Sequence, residues 1–136
     1  MKYNEYRRAS RKIKVGGIYV GGDAPIPVQS MTNTKSDDFD STYAQIKALE
    51  MAGCDIVRMA VPDMESVKTV ARLKESDISI PLVADIHFDY RLAVECAVAG
   101  IDKIRINPGN IGGDDRIKAV VDACRVRDIP IRIGVN

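Results

Sequence analysis

The sequence predicts an α/β fold: an N-terminal β-hairpin, then about the first five strands and four helices of a TIM-like (β/α)8 barrel. Three observations predict it. Apolar strand-like runs alternate with helical patterns, which calls for a parallel sheet with right-handed crossovers. The run Ala52-Gly53-Cys54-Asp55-Ile56-Val57-Arg58-Met59 returns as Ala99-Gly100-Ile101-Asp102-Lys103-Ile104-Arg105-Ile106, about two strand–helix units later. In both copies a glycine ends a helix, an aspartate opens a strand, and an arginine sits inside an otherwise apolar strand. No glycine-rich dinucleotide fingerprint follows any strand, which weakens an open nucleotide-binding sheet. A complete barrel needs eight units and ~200 or more residues. Residues 1–136 are therefore expected to form the N-terminal part of a truncated barrel.

The elements follow in order. Lys12 to Gly21 reads as the hairpin, with Gly16-Gly17 suited to a primed turn. Pro25 and Pro27 lead into the first barrel strand, Val28-Gln29-Ser30-Met31. Ser36 to Ser41 is a polar, acidic loop rich in N-cap residues. Thr42 to Met51 is predicted as helix, with Tyr43, Ile46 and Leu49 at helical spacing and Gly53 as its stop. Asp55 to Val61 is the next strand, and Pro62-Asp63 opens a helix to about Glu75. Pro81 precedes the strand Leu82 to Ile86. Asp89 caps a helix to Ala99, stopped by Gly100. Asp102 to Asn107 is a strand. Asp114 or Asp115 is expected to cap a helix whose face is Ile117, Val120, Val121 and Cys124. Pro130 precedes the last strand, Ile131 to Asn136.

Composition narrows the function classes. The chain has 136 residues, enough for one domain with a core. A net charge of +1 gives no electrostatic argument for nucleic acid. No stretch is long and apolar enough for a membrane span, and the start has no signal-peptide core. Cys54, Cys96 and Cys124 form no CxxC pair. They are expected to be reduced, buried small hydrophobes of a cytoplasmic protein, not metal ligands.

Side chains alternate across a strand, and the alternation sorts the polar groups. Arg58 shares a face with Ile56 and Ala60. Val83, Asp85 and His87 share one face, as do Lys103, Arg105 and Asn107, and Arg132, Gly134 and Asn136. The opposite faces are aliphatic and suit the helix layer. The polar faces then point into the barrel, which in a purely structural barrel is filled with branched apolar residues. A buried arginine is costly unless an anion or acid meets it. An ion pair of Asp85 with one arginine leaves two arginines unmatched within the chain. Three convergent guanidiniums suit phosphate oxygens, and a diphosphate better than one carboxylate. Asp85 and His87 project the same way and can orient a hydroxyl or move a proton. The loop Asn107 to Gly113 leads into a helix; a plain turn is the simpler reading, an anion-receiving helix start the other.

Four motifs carry a family resemblance: Val28-Gln29-Ser30-Met31-Thr32-Asn33-Thr34, Val83-Ala84-Asp85-Ile86-His87-Phe88-Asp89, Arg105-Ile106-Asn107-Pro108-Gly109-Asn110-Ile111-Gly112 and Ile131-Arg132-Ile133-Gly134-Val135-Asn136. In this order they resemble the 4-hydroxy-3-methylbut-2-enyl diphosphate synthases of the non-mevalonate isoprenoid pathway. The resemblance implies an N-terminal TIM-like barrel that binds 2-C-methyl-D-erythritol 2,4-cyclodiphosphate. It implies reductive ring opening with loss of water, two electrons from ferredoxin or flavodoxin, a 4Fe–4S cluster and a homodimer. Arg58, Arg105, Arg132 and Asn136 match positions that hold the diphosphate; Asp85, His87 and Asn107 match polar positions of the same pocket, Asp85 and His87 as the catalytic candidates and Asn107 as a binding residue. The family's cluster ligands, three cysteines and a glutamate of a C-terminal domain, have no counterpart here, so this chain is expected to be redox-inactive alone. A non-redox barrel resembling dihydropteroate synthase, and a half-barrel with only an interaction role, are the alternatives.

Overall fold

The computed structural model describes residues 6–135. Two short strands, β1 (Ile13–Val15) and β2 (Ile18–Val20), pair antiparallel as the expected hairpin. Gly16 turns the corner with φ +55°, the left-handed value a primed turn requires. Five strands then form one parallel sheet: β3 (Gln29–Met31), β4 (Ile56–Ala60), β5 (Leu82–Ile86), β6 (Lys103–Ile106) and β7 (Ile131–Ile133). They lie side by side in chain order, as in a barrel wall. Four long helices connect them: α1 (Phe39–Met51), α2 (Met64–Glu75), α3 (Tyr90–Val98) and, after the single turn α4 (Pro108–Ile111), α5 (Asp114–Arg125).

Besides one-residue trims at the ends of β3, β4, β6 and α3, three boundaries differ from expectation. α1 begins at Phe39 because Asp38 caps it, accepting from the Ser41 N–H and hydroxyl at 3.2 and 2.7 Å. Asp38 thus captures a turn that the polar composition disguised as loop. α5 is capped by Gly113, not by Asp114 or Asp115, which fall inside its first turn. There their charges complement the helix dipole instead of serving as caps. β7 ends at Ile133, and Asn136, expected at its end, lies outside the described residues.

The internal repeat is reproduced bond by bond. Gly53 and Gly100 both take φ +92°. Their N–H groups reach Glu50 and Ala97, and those of Cys54 and Ile101 reach Leu49 and Cys96, all at 3.1 Å. This paired-bond stop needs a left-handed residue, hence glycine. Asp55 and Asp102 then accept the N–H of Val28 and Leu82 at 2.7 and 2.8 Å. Each aspartate ties the start of its own strand to the start of the one before. Asp102 also holds Lys74 at 2.7 Å.

The sheet divides two cores. Towards the helices, Val57, Met59, Leu82, Ala84, Ile86, Ile104 and Ile106 are fully buried with Leu73, Cys96 and Val120. Each of the valine, leucine, isoleucine and methionine side chains contributes roughly 1.5–3 kcal/mol over its exposed state. On the other face, Ile56 and Val83 pack under Val15, with Ile18 and Val20 alongside. The hairpin therefore covers the N-terminal end of the barrel face. The charged groups of the same face begin at the level of Val83, with Arg58 and Lys103, and continue to the C-terminal strand ends, where barrel active sites occur.

Candidate functional site

Strand register brings the charged residues together. Asp85 sits opposite Ala60 of β4 and Arg105 of β6, and Arg105 opposite Arg132 of β7. One level below, Val83 lies between Arg58 and Lys103. These side chains share the barrel-interior face, because strands in register alternate in step.

Asp85 is the hub, at 1% exposure. Its Oδ2 accepts from Arg58 Nη2 at 2.6 Å and Nε at 3.1 Å; its Oδ1 accepts from Arg105 Nη1 at 3.3 Å. The carboxylate thus takes two guanidiniums, not the single one of the sequence-only reading. Only Arg132 of the three arginines has no acid partner among the described residues. A carboxylate buried this deeply is stable only with such partners, and they are stable only with it. His87, half exposed just beyond β5, holds Nε2 3.9 Å from Asp85 Oδ2, too long for a hydrogen bond.

Lys103 was not among the predicted site residues. It is half-buried on the same face, and burial, then the nearby Arg132 charge, pulls its pKa below the ordinary lysine value. The signal was present in the alternation, which already aligned Lys103 with Arg105. Arg58, Lys103, Arg105 and Arg132 make four cations against the one carboxylate of Asp85. Asn107 is buried at the end of β6 and caps α4, its Oδ1 accepting from the Gly109 N–H at 3.0 Å. The loop after β6 is thus neither a plain turn nor a long helix start but one capped helical turn.

The cysteines do not converge. Cys96 and Cys124 are buried in the helix-side core, and burial pushes their thiols up to about 12 and about 11. Cys54, two residues before β4, is only half-buried, contrary to the expectation of a buried side chain. Its thiol faces the carbonyls of Val28 and Ile56. A cluster needs deprotonated thiolates, so these residues do not fit an iron–sulfur centre. Among the described residues no group of three or more His, Cys, Asp or Glu is placed to hold a metal ion.

Residues 10–136 match the family model described as the GcpE TIM-barrel domain. The chain belongs to this family. It is 62% identical over 130 residues to the 4-hydroxy-3-methylbut-2-en-1-yl diphosphate synthases (flavodoxin) of Pseudomonas aeruginosa and Azotobacter vinelandii, covering 96% of this chain. The same-named protein of Ruminiclostridium cellulolyticum is 59% identical over the same share. The chain spans only 35–36% of the length of these relatives. Among solved structures, a dihydropteroate synthase of Xanthomonas albilineans superposes with TM-score 0.64 at 18% identity, over 88% of this chain and 48% of that one. That likeness is one of fold alone. It places the GcpE-family strands in a barrel wall without supporting a pterin-pathway reading. No helix of the described residues is long and apolar enough to cross a membrane.

Proposed function

We propose that this chain supplies the diphosphate-binding wall of a 4-hydroxy-3-methylbut-2-enyl diphosphate synthase. The observation that carries the reading is the excess of cations on one barrel face, next to the C-terminal strand ends. The substrate, 2-C-methyl-D-erythritol 2,4-cyclodiphosphate, brings the matching negative charge. Arg132 has all its donors free of protein acids among the described residues. Arg105 gives only Nη1 to Asp85, and among the described residues its remaining N–H groups have no other hydrogen-bond partner, which leaves them for phosphate oxygens. Asp85 is a positioning group: enclosed by two guanidiniums, it fixes their planes before substrate arrives. His87 is the exposed member of the pair and the one able to exchange a proton with substrate or solvent. Asn107 contributes its Nδ2 donor, its oxygen being taken by the α4 cap. Asn136 is assigned to the same pocket from the motif match.

Ring opening consumes two electrons and two protons and releases one water. In this reading a 4Fe–4S cluster held by the cysteines and glutamate that the family resemblance implies supplies the electrons, and the residues of this chain bind the substrate. Reduced flavodoxin is the donor that the relatives' names support, with ferredoxin as its equivalent. The complete enzyme is taken as a cytoplasmic homodimer, in which the cluster domain of one subunit meets the barrel of the other.

The test is turnover by the full-length protein that carries this domain, purified without oxygen. Reduced flavodoxin and the cyclic diphosphate should yield the linear hydroxy diphosphate, and Arg132→Ala should remove most of that yield. Failure to consume the cyclic diphosphate under these conditions refutes the reading.

A further inference from the structure

We propose that Gly134 is a positioning residue for Arg105: its missing side chain leaves the space in which the Arg105 guanidinium lies. The inference rests on the reading of Arg105 as a phosphate ligand and deepens it. Arg105 pairs with Arg132 across the sheet, and Gly134 lies one pleat further along the same face. The Gly134 N–H donates to the Ile106 carbonyl at 2.8 Å, which pins this backbone to the end of β6. A β-carbon at position 134 would stand 2.6 Å from Cζ of Arg105, and nearer still to Nε and Nη2. The three closest atoms all belong to that one guanidinium.

Two features separate Gly134 from a glycine kept for its backbone. Its φ lies outside the left-handed region, unlike Gly53, Gly100 or Gly112, so other residues fit the main chain there. The atoms in its way are also the movable end of a long side chain. At Gly21, by contrast, the nearest obstacle is the Arg11 carbonyl oxygen, which is backbone. A methyl group at 134 therefore displaces Arg105 and spares the sheet. Arg105 is the easier guanidinium to dislodge. It holds Asp85 through one bond of 3.3 Å, whereas Arg58 uses two, of 2.6 and 3.1 Å.

The experiment uses the full-length protein and calorimetric titration with the cyclic diphosphate, together with melting curves. Gly134→Ala should weaken binding about tenfold, the scale of one charged hydrogen bond. Its melting temperature should stay within about 2 °C of the parent. Arg105→Ala should weaken binding at least as much, and the Arg105→Ala/Gly134→Ala double variant should bind no more weakly than Arg105→Ala alone. If Gly134→Ala lowers the melting temperature, the double variant must melt no lower than Arg105→Ala alone, since every clashing atom is gone. Parent-like affinity in Gly134→Ala, additive losses in the double variant, or a double variant that melts below Arg105→Ala would each overturn the proposal. Unchanged affinity in Arg105→Ala would instead remove the phosphate-ligand reading beneath it.

Discussion

Replacing Asp85 by Asn tests the charge hub at its centre. The change keeps the side-chain shape and removes the charge. One amide oxygen can still accept from Arg58, but the amide nitrogen then faces Arg105 Nη1, donor against donor. Breaking a buried pair by removing one partner costs about 3–5 kcal/mol. Arg58 and Arg105 side chains are 23% and 14% exposed, so each regains some hydration when released. The expected loss is therefore at the low end, about 3 kcal/mol. A chain of 136 residues unfolds with an entropy of about 0.3 kcal/mol/K, so the melting temperature should fall by about 10 °C. Circular dichroism at 222 nm would follow it. A triple change, Arg58→Met, Asp85→Leu and Arg105→Met, should recover most of that stability, because apolar replacement of a whole buried network is often neutral. It should also abolish anion binding. An Asp85→Asn protein that melts within about 2 °C of the parent would refute the buried-hub account.

Two further predictions concern stability alone. Asp38, Asp63 and Asp89 cap α1, α2 and α3, and each carboxyl is held below its ordinary pKa, first by hydrogen bonds from Ser41, Ser66 and Arg91 respectively. Depressed folded-state values mean stability that is present above about pH 4 and lost as pH falls through those values. Urea midpoints should drop on acidification, less steeply in Asp63→Asn; parallel pH curves would contradict this. Asp102→Asn should cost about 1.5–3 kcal/mol in urea unfolding, since its charged oxygen serves both Leu82 and Lys74. Asp55→Asn, whose oxygen serves only the exposed Val28 N–H among the described residues, should cost clearly less, and equal costs would be the wrong result.

Much of the fold was legible because its signals are local. Leu82 to Ile86 and its Pro81 boundary, the Gly53 and Gly100 stops, and the Asp63 and Asp89 caps all follow from residue chemistry within one turn or strand. Period-two alternation placed Arg58, Asp85, Arg105 and Arg132 on one face before any coordinates. What alternation does not supply is register between strands. Register decides that Asp85 lies level with Arg105 while Arg58 reaches it diagonally, and so that one acid takes two guanidiniums. The capped turn at Pro108 was hidden for a related reason. Asn107 and Gly109 suit a turn and a cap equally, and only packing of the buried Ile111 selects the helix. Gly134 carried no local signal, since its neighbour Arg105 is remote in sequence.

Arg132 gives the cleanest test of the central claim, that these strand ends hold a diphosphate. Its removal breaks no ion pair to an acid among the described residues, so binding and folding separate. Titration of the full-length protein with the cyclic diphosphate should show Arg132→Ala weakened by about 1.5–3 kcal/mol, roughly ten- to hundredfold, with an unchanged melting temperature. Equal affinity in the parent and in Arg132→Ala would contradict the account.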